Sequence, residues 1–172
     1  HFCTASTVAF IPVLANDQVR RLILNSWQKQ RARYNVMIEG FVIMPEHIHI
    51  LIRGRGDDVR RFMQYSLAQT SIDIRQAVQR RARSGDAKAA QWLSVIAARA
   101  NGAASGKVWK ERFRCFPMDK EEAALDKLRY MHLNPVERGL VSQAGDWAWS
   151  SQSHYEGLGC VIPVDGGLSC GN

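Results

Sequence analysis

The sequence lacks several features that would place it in common protein classes. It has no apolar run near the roughly 20 residues that a membrane-spanning helix needs, no signal-peptide pattern and no internal repeat. It has only four cysteines, none in a CxxC pair, so we expect free thiols in a reducing compartment instead of a disulfide or zinc framework. The chain begins at His1 without a methionine, and we expect it to be trimmed from a longer product.

The composition is that of one compact domain with a basic surface. Of the 172 residues, 46% are hydrophobic and 23% are charged, and a chain of this length buries a sizeable core. The formal net charge is +7 and the pI is about 9.6. This balance favours an acidic partner, for which nucleic acid is the usual candidate, although an ordinary basic protein can have the same composition.

Hydrophobic periodicity predicts an α+β fold with the element order β-α-β-β-α-β-α. The first six elements match the ferredoxin-like split βαβ arrangement, in which two helices pack on one face of an antiparallel sheet. The other face is left for something else, and the seventh element is an additional C-terminal helix. The predicted strands are 2–10, 34–44, 47–53 and 107–118, and the predicted helices are 17–33, 59–80 and 119–134.

Local signals predict where these elements and the domain end. Asp17 or Asn16 can cap the first helix, Asp119 is the expected cap of the last one, and Pro135 is expected to end it. The insertion at 81–106 is small, basic and rich in Gly, Ala and Ser. We expect part of it, around 88–99, to be helical and the rest to be mobile. One domain is expected over 1–155, followed by an irregular tail over 156–172.

Two histidines interrupt the isoleucine-rich strand in the segment MPEHIHILI. Because side chains alternate along a strand, the isoleucines share the face that packs under the helices, whereas His47 and His49 lie side by side on the opposite face. Both imidazoles can then reach one divalent metal ion, and two ligands imply an open, catalytic site. The alternative is two ordinary polar side chains on a half-exposed strand. Glu46 is interpreted as a turn residue, with a supporting contact to the histidines as the alternative.

The last predicted helix carries a tyrosine on its polar side. Its apolar residues gather on one side, and Tyr130 lies almost opposite, with Asp126, Lys127 and Asn134 as its helical neighbours. A surface tyrosine is the ordinary explanation of such a position. The alternative is a nucleophile, because a phenol can attack a phosphodiester and keep the phosphate as a covalent ester. Lys127 can stabilise a phenolate, and the amide oxygen of Asn134 can coordinate a metal.

Four segments occur in the order found in a known family. FVIMPEHIHILI, VWKERF, LRYMHLNPVERGLV and DWAWSS resemble the HUH single-tyrosine transposases, in particular the REP-associated tyrosine transposases of bacteria. The resemblance runs from residue 1 to about Ser151. Its most specific part is HxH after MP, followed about eighty residues later by YxxxNPV.

The resemblance implies a ferredoxin-like catalytic domain that cuts and rejoins single-stranded DNA. His47 and His49 then bind Mg²⁺ or Mn²⁺, and Tyr130 attacks the DNA to give a 5′-phosphotyrosine link and a free 3′-hydroxyl. Asn134 completes the metal site, or caps the helix end, since many insertion-sequence members have the longer Gln there. The implied partner is hairpin-forming repeat DNA, bound by a monomer or a homodimer. The implied location is the bacterial cytoplasm, in association with the nucleoid.

Basic residues beyond the site are expected to contact DNA phosphates. They are Arg53, Arg55, Arg60, Arg61, Lys107, Lys110, Arg112, Arg114 and Lys127. The insertion adds basic residues that form either a further DNA contact or a solvated segment, with the former favoured. Trp109 and Phe113 are expected to pack in the core in preference to stacking on bases. Trp147 and Trp149 are expected to anchor the chain that follows the tyrosine helix.

Two other functions fit part of this pattern. An HUH replication initiator or relaxase shares the chemistry, but such proteins are usually longer and carry a helicase or second domain. A ferredoxin-like nucleic-acid-binding module keeps the fold without the chemistry, and the presence of both histidines and the tyrosine argues against it. A metal titration separates the enzyme from the binding module, because a binding module needs no Mg²⁺.

Overall fold

A four-stranded antiparallel sheet with the strand order β2-β3-β1-β4 organises the chain. The computed structural model describes residues 1–98 and 106–165. The strands are β1 (Phe2–Ser6), β2 (Met37–Ile43), β3 (His47–Arg53) and β4 (Arg114–Phe116). This strand order is that of the split βαβ arrangement, so the predicted α+β, ferredoxin-like fold class is confirmed.

Helices cover both faces of this sheet. They are α1 (Asp17–Arg33), α2 (Gly56–Arg83), α3 (Ala87–Ala98), α4 (Glu121–Glu137) and the short α5 (Gln152–Tyr155). The isoleucines of β3 pack with apolar residues of α1 and α2 in the main core, as the strand pattern predicted. Among the described residues, no helix has the length and apolar character needed to cross a membrane.

Packing of side chains shortens several of the predicted strands. The first strand ends at Ser6 and is followed by a 3-10 turn at Val8–Phe10. The last is reduced to three residues, with an isolated bridge between Thr7 and Trp109 before it. Trp109 is buried and its indole Nε1 donates to the hydroxyl of Thr70 at 3.0 Å. Its ring therefore belongs to the core, as predicted, and draws this segment away from the sheet.

The described part of the insertion is a helical hairpin. Helix α2 continues to Arg83, and α3 folds back on it and buries Ala89 and Ile96. Arg81 forms an ion pair with Asp86 and lies over the ring of Trp92. The expectation of a helix near 88–99 is confirmed to within a residue at each end, whereas a mobile segment from 81 to 87 is wrong. Residues 99–105, with Arg99, lie outside the described residues.

Helix α4 packs on the sheet face that the sequence pattern left open. Leu128 and Met131 form a second apolar cluster there with Phe2, Val42 and other residues of the sheet. Gly40 on β2 permits this contact, because a Cβ at that position would lie 2.4 Å from Leu128 Cδ1. The absence of a side chain at Gly40 therefore allows the tyrosine helix to pack close to β2.

Both predicted ends of α4 are wrong. The N-cap residue is Lys120, which makes no side-chain capping bond, and Asp119 lies outside the helix. The helix continues through Pro135 to Glu137, because a proline removes only one helical N–H and this one lies within the last turn. Gly139 provides the stop with a φ of +64°, which a glycine adopts without steric cost. Asn134 therefore does not cap the end of the helix.

Two of the four cysteines are joined. Cys3 and Cys115 lie opposite each other on β1 and β4, with their Cα atoms 4.0 Å apart, and form a disulfide. The prediction of free thiols is wrong for this pair. A separation of 112 residues gives no local spacing signal, and the pairing depends on the sheet register. Cys160 is free, and Cys170 lies outside the described residues.

The segment DWAWSS anchors the chain that follows α4 to the edge of the sheet, as predicted. The indole Nε1 of Trp147 donates to Ile43 O at 3.1 Å, and the amide of Ser151 donates to Phe41 O at 2.9 Å. The Ser151 hydroxyl lies 2.7 Å from Nε2 of His132, a buried residue of α4. This bond ties the helix to the segment that lies along β2. The described part of the tail that follows, 156–165, is irregular and buries Ile162 and Val164.

Replacing Gly40 by Ala tests how closely α4 must approach the sheet. The added Cβ overlaps Leu128 and meets Ser151 Oγ at 3.1 Å, so the helix must move. We expect Gly40→Ala to lower the free energy of unfolding by about 1–3 kcal/mol, measured by urea titration. Gly56→Ala is the matched control, because a Cβ there would lie 3.8 Å from its nearest neighbour, His1 Cε1, and it should be neutral or stabilising. Equal effects of the two variants would contradict the close packing.

The buried histidine of α4 should make the fold sensitive to acid. Burial lowers the pKa of His132 to about 4, against 6.5 for an exposed histidine. Below pH 6.5 the unfolded chain takes up this proton and the folded chain does not, so stability present above pH 6.5 is lost as the pH falls towards 4. Between about pH 7 and pH 5, we expect the free energy of unfolding to fall by about 1–2 kcal/mol more in wild type than in His132→Gln, measured by urea titration. Identical losses would show that His132 does not carry the effect.

Candidate functional site

The structure brings the two strand histidines and the helix tyrosine together within one chain. His47 and His49 lie on the face of β3 that α4 covers, with ring centroids 4.8 Å apart. The ring of Tyr130 lies 5.6 Å from that of His49 and meets it edge-on. Tyr130 is 44% exposed, and its hydroxyl makes no hydrogen bond with the described residues. The phenol is thus accessible to a substrate beside the histidine pair.

Each histidine has one ring nitrogen occupied by an oxygen. Thr4 Oγ1 lies 2.8 Å from Nδ1 of His49, and Glu46 Oε1 lies 3.0 Å from Nδ1 of His47. Within the described chain, both Nε2 atoms are without a hydrogen-bond partner. A histidine that binds a metal usually has its other nitrogen engaged in this way, which fixes the orientation of the ring.

Burial keeps both imidazoles in the neutral form that metal ligation requires. It lowers the pKa of His49 to about 3, and the neighbouring charges of His47 and Lys127 act in the same direction. Burial also lowers the pKa of His47, although the Glu46 carboxylate opposes this effect. Both rings therefore remain uncharged and able to ligate at neutral pH.

The two histidines fit an open metal site but do not make a closed one. Among the described residues, there is no group of three or more His, Cys, Asp or Glu that could hold a metal ion. Asn134, one turn after Tyr130 on α4, is 6% exposed, and its side chain makes no hydrogen bond within the described residues. An amide oxygen is one of the ligands that divalent cations accept in proteins. Asn134 therefore fits the role of an additional oxygen donor.

Lys127 brings a positive charge to the same place. Its ammonium lies 5.6 Å from the centroid of the Tyr130 ring and 5.5 Å from that of Phe2. The ring of Phe2 is in turn stacked on His49 at 5.2 Å. The cation is therefore held between aromatic rings at the edge of the site, where it can attract a phosphate.

Glu46 joins the histidine strand to the tyrosine helix, and the sequence alone did not reveal this. Its Oε1 accepts from Arg138, just beyond α4, at 3.0 Å while it also contacts His47. Glu46 is buried, and the guanidinium is about half exposed. The alternative of a supporting contact to a histidine is thus the correct one. The signal available in the sequence was an acid directly before HxH and an arginine four residues after the asparagine of YxxxN.

The other basic residues divide into two groups. Arg55, Arg60, Arg112 and Arg114 line one groove of about 1360 Å³ between the start of α2 and β4. The remaining residues lie elsewhere, and several have partners. Arg53 pairs with Glu39, and Lys107 pairs with Glu111. Lys110 lies over the ring of Phe10, and Arg61 is exposed. Sequence proximity therefore did not show which cations share a surface.

The Glu46–Arg138 ion pair should contribute measurably to stability. Removing the guanidinium leaves a buried carboxylate with one partner fewer. We expect Arg138→Gln to lower the free energy of unfolding by about 1–2 kcal/mol in urea. Arg129→Gln is the matched control on the same helix, because its ion pair with Asp126 is exposed on both sides, and it should cost under about 0.5 kcal/mol. If the two variants were equally stable, α4 would not depend on Glu46.

The fold is similar to solved structures of transposases. One is a REP-associated tyrosine transposase bound to a REP hairpin, with a TM-score of 0.59, 18% identity, and 96% of this chain and 88% of that chain covered. Another is a putative transposase from Deinococcus radiodurans R1, with a TM-score of 0.43, 9% identity, and 75% and 85% covered. At 18% identity the first likeness shows the fold alone. No curated protein sequence matches the chain.

The sequence profile of the family described as "Transposase IS200 like" matches residues 11–111. The matched segment includes β2, β3 and both site histidines, whereas Tyr130 and Asn134 lie beyond it. It spans more than half of the chain and confirms at the family level the resemblance found in the motifs. The protein belongs to the IS200-like transposase family and is an enzyme of the transposase kind.

Proposed function

We propose that the protein is a metal-dependent single-strand DNA endonuclease and strand transferase that uses Tyr130 as its nucleophile. The observation that carries this proposal is the accessible phenol beside two neutral imidazoles with free Nε2 atoms. Two ordinary polar side chains on a strand would not require an exposed tyrosine beside them. Membership of a transposase family favours this function over that of an initiator or relaxase.

The proposed cleavage is a transesterification at phosphorus. The phenol of Tyr130 loses its proton and its oxygen forms a bond to the scissile phosphorus as the bond to the 3′ oxygen breaks. The departing 3′ oxygen takes up a proton, so no proton is gained or lost overall. The 5′ phosphate then remains on the tyrosine as an ester. Attack by another 3′-hydroxyl reverses the step and releases the tyrosine, so rejoining needs no external energy source. Lys127 is placed to attract the phosphate to the phenol.

His47, His49 and Asn134 are the residues that would hold Mg²⁺ or Mn²⁺. When bound, such an ion polarises the phosphate and stabilises charge on the leaving oxygen. Thr4 and Glu46 orient the two imidazoles, and burial keeps them neutral. Because imidazole nitrogen suits transition metals better than Mg²⁺, we expect Mn²⁺ to bind more tightly.

The proposed partner is single-stranded DNA next to a repeat hairpin. Support comes from the net charge of +7, from the arginine-lined groove and from a structural neighbour that is bound to a REP hairpin. The tyrosine is proposed to act in cis, because His49 and Tyr130 of the same chain are already in contact. A monomer is then sufficient for cleavage.

A denaturing gel tests the nucleophile directly. Labelled hairpin DNA from repeats flanking the gene is incubated with protein in Mg²⁺, Mn²⁺ or EDTA, and covalent adduct appears as a slowed band. We expect adduct with either metal, none in EDTA, and none with Tyr130→Phe, which should still bind the hairpin. The matched control is Tyr65→Phe, because Tyr65 is 49% exposed and stacks on Tyr34, away from the site. It should form adduct as wild type does.

Two results would overturn the assignment. Adduct or full cleavage with Tyr130→Phe would show that another group is the nucleophile. Tight, metal-independent hairpin binding by wild type without adduct or cleavage would point to a non-catalytic nucleic-acid-binding module.

A further inference from the structure

The sheet face that carries the site continues past it to the edge strand β4. In the strand register, Thr4 lies directly between His49 on β3 and Arg114 on β4. Directly opposed residues of antiparallel strands point to the same face. With about 4.8 Å between neighbouring strands, the Cα atom of Arg114 stands roughly 10 Å from that of His49. Arg114 is therefore on the same face of the sheet as His49, the proposed metal ligand, and two strands away from it.

An exposed aromatic ring stands on the same extension. Phe116 lies opposite Phe2 in the register, so both rings are on the face that carries Tyr130. Phe2 is 5% exposed because it packs beneath α4 and against His49, whereas Phe116 is 50% exposed. Helix α4 packs mainly on β2 and β3, and at the β4 end of this face Phe116 remains half exposed. A large apolar side chain thus faces solvent beside a proposed nucleotide site.

The surface around Phe116 is complementary to a phosphate backbone. Phe116 and Arg114 line the groove that also contains Arg55, Arg60 and Arg112. Two carboxylates, from Asp57 and Glu111, line it as well, so arginines outnumber acids by four to two. The groove therefore lies along the β4 edge of the sheet, between Arg114 and Phe116 and the start of α2, and has a net positive charge.

We propose that Phe116 and Arg114 form a nucleotide-binding platform for the single strand that flanks the cleaved phosphate. Phe116 stacks on one unpaired base, Arg114 binds the adjoining phosphate, and the groove carries the strand away from the site. Stacking on an aromatic ring beside cationic side chains is the usual way in which proteins hold single strands without reading their sequence. The proposal deepens the proposed function and rests on single-stranded DNA being its substrate.

Binding measured in EDTA tests the platform without requiring cleavage. The probe is the fluorescein-labelled repeat hairpin with its single-stranded flanks. Phe116→Ala should weaken binding roughly tenfold, and Phe116→Trp should restore it. Single abasic sites are then placed in turn along the flanks. At one position the abasic probe should bind wild type and Phe116→Ala equally, because the base that stacks is gone.

The salt dependence separates the two residues of the platform. One phosphate contact to a single strand contributes about 0.7 to the slope of log K against log salt. Arg114→Gln should make the slope less steep by about that amount, whereas Phe116→Ala should leave the slope unchanged. A slope that is unaffected by Arg114→Gln would remove the phosphate contact from the proposal.

A matched phenylalanine controls for loss of exposed apolar surface. Phe10 is 57% exposed and lies in the 3-10 turn beyond the other end of β1. Phe10→Ala should bind the probe as wild type does, and equal weakening by both alanine variants would overturn a discrete platform. So would full affinity of Phe116→Ala, or the absence of an abasic position that cancels its effect. Covalent adduct with Mn²⁺ is scored separately from binding in EDTA. Failure of the platform proposal and failure of the tyrosine proposal therefore give different results.

Discussion

The register of β3 between β1 and β2 is the constraint on which the site depends. Because side chains alternate along a strand, this register places three isoleucines in the main core and turns His47 and His49 to the other face. A slip by one residue would bury the imidazoles among apolar side chains and expose the isoleucines. The hydrophobic effect that stabilises the core therefore also fixes the position of the two imidazoles.

A second set of contacts positions the tyrosine relative to this strand. Gly40 admits Leu128 against β2, the Ser151–His132 bond holds α4 to the edge segment, and Arg138 reaches back to Glu46. These contacts lie along one side of the helix and leave its other side, with Tyr130, facing solvent. The proposed nucleophile is thus mounted on a rigid element, which keeps the phenol close to the imidazoles.

The sequence predicted those features that follow from local periodicity. The bounds of α1 and β3, the opposite faces of His47 and Ile48, and the polar position of Tyr130 all arise from spacings of a few residues. The stop of α4 was wrong because Pro135 is a weaker signal in a last turn than Gly139 directly after it. The Cys3–Cys115 pair, the Glu46–Arg138 pair and the place of Phe116 depend on residues far apart in the chain. Periodicity carries no information on such contacts.

The same register links the chemistry to the proposed DNA platform. Thr4 orients His49 through its hydroxyl and, on its other side, stands opposite Arg114. Phe2 similarly contacts His49 and stands opposite Phe116. Strand β1 therefore lies between the part of the sheet that would hold the scissile phosphate and the part that would hold the flanking strand. Because these positions are fixed by backbone hydrogen bonds, the distance between the two is set by two inter-strand spacings, roughly 10 Å, and not by flexible side chains. A nucleotide bound at Phe116 would thus limit where the strand can lie relative to Tyr130, and β1 would then set the distance between the bound nucleotide and the cleaved phosphate.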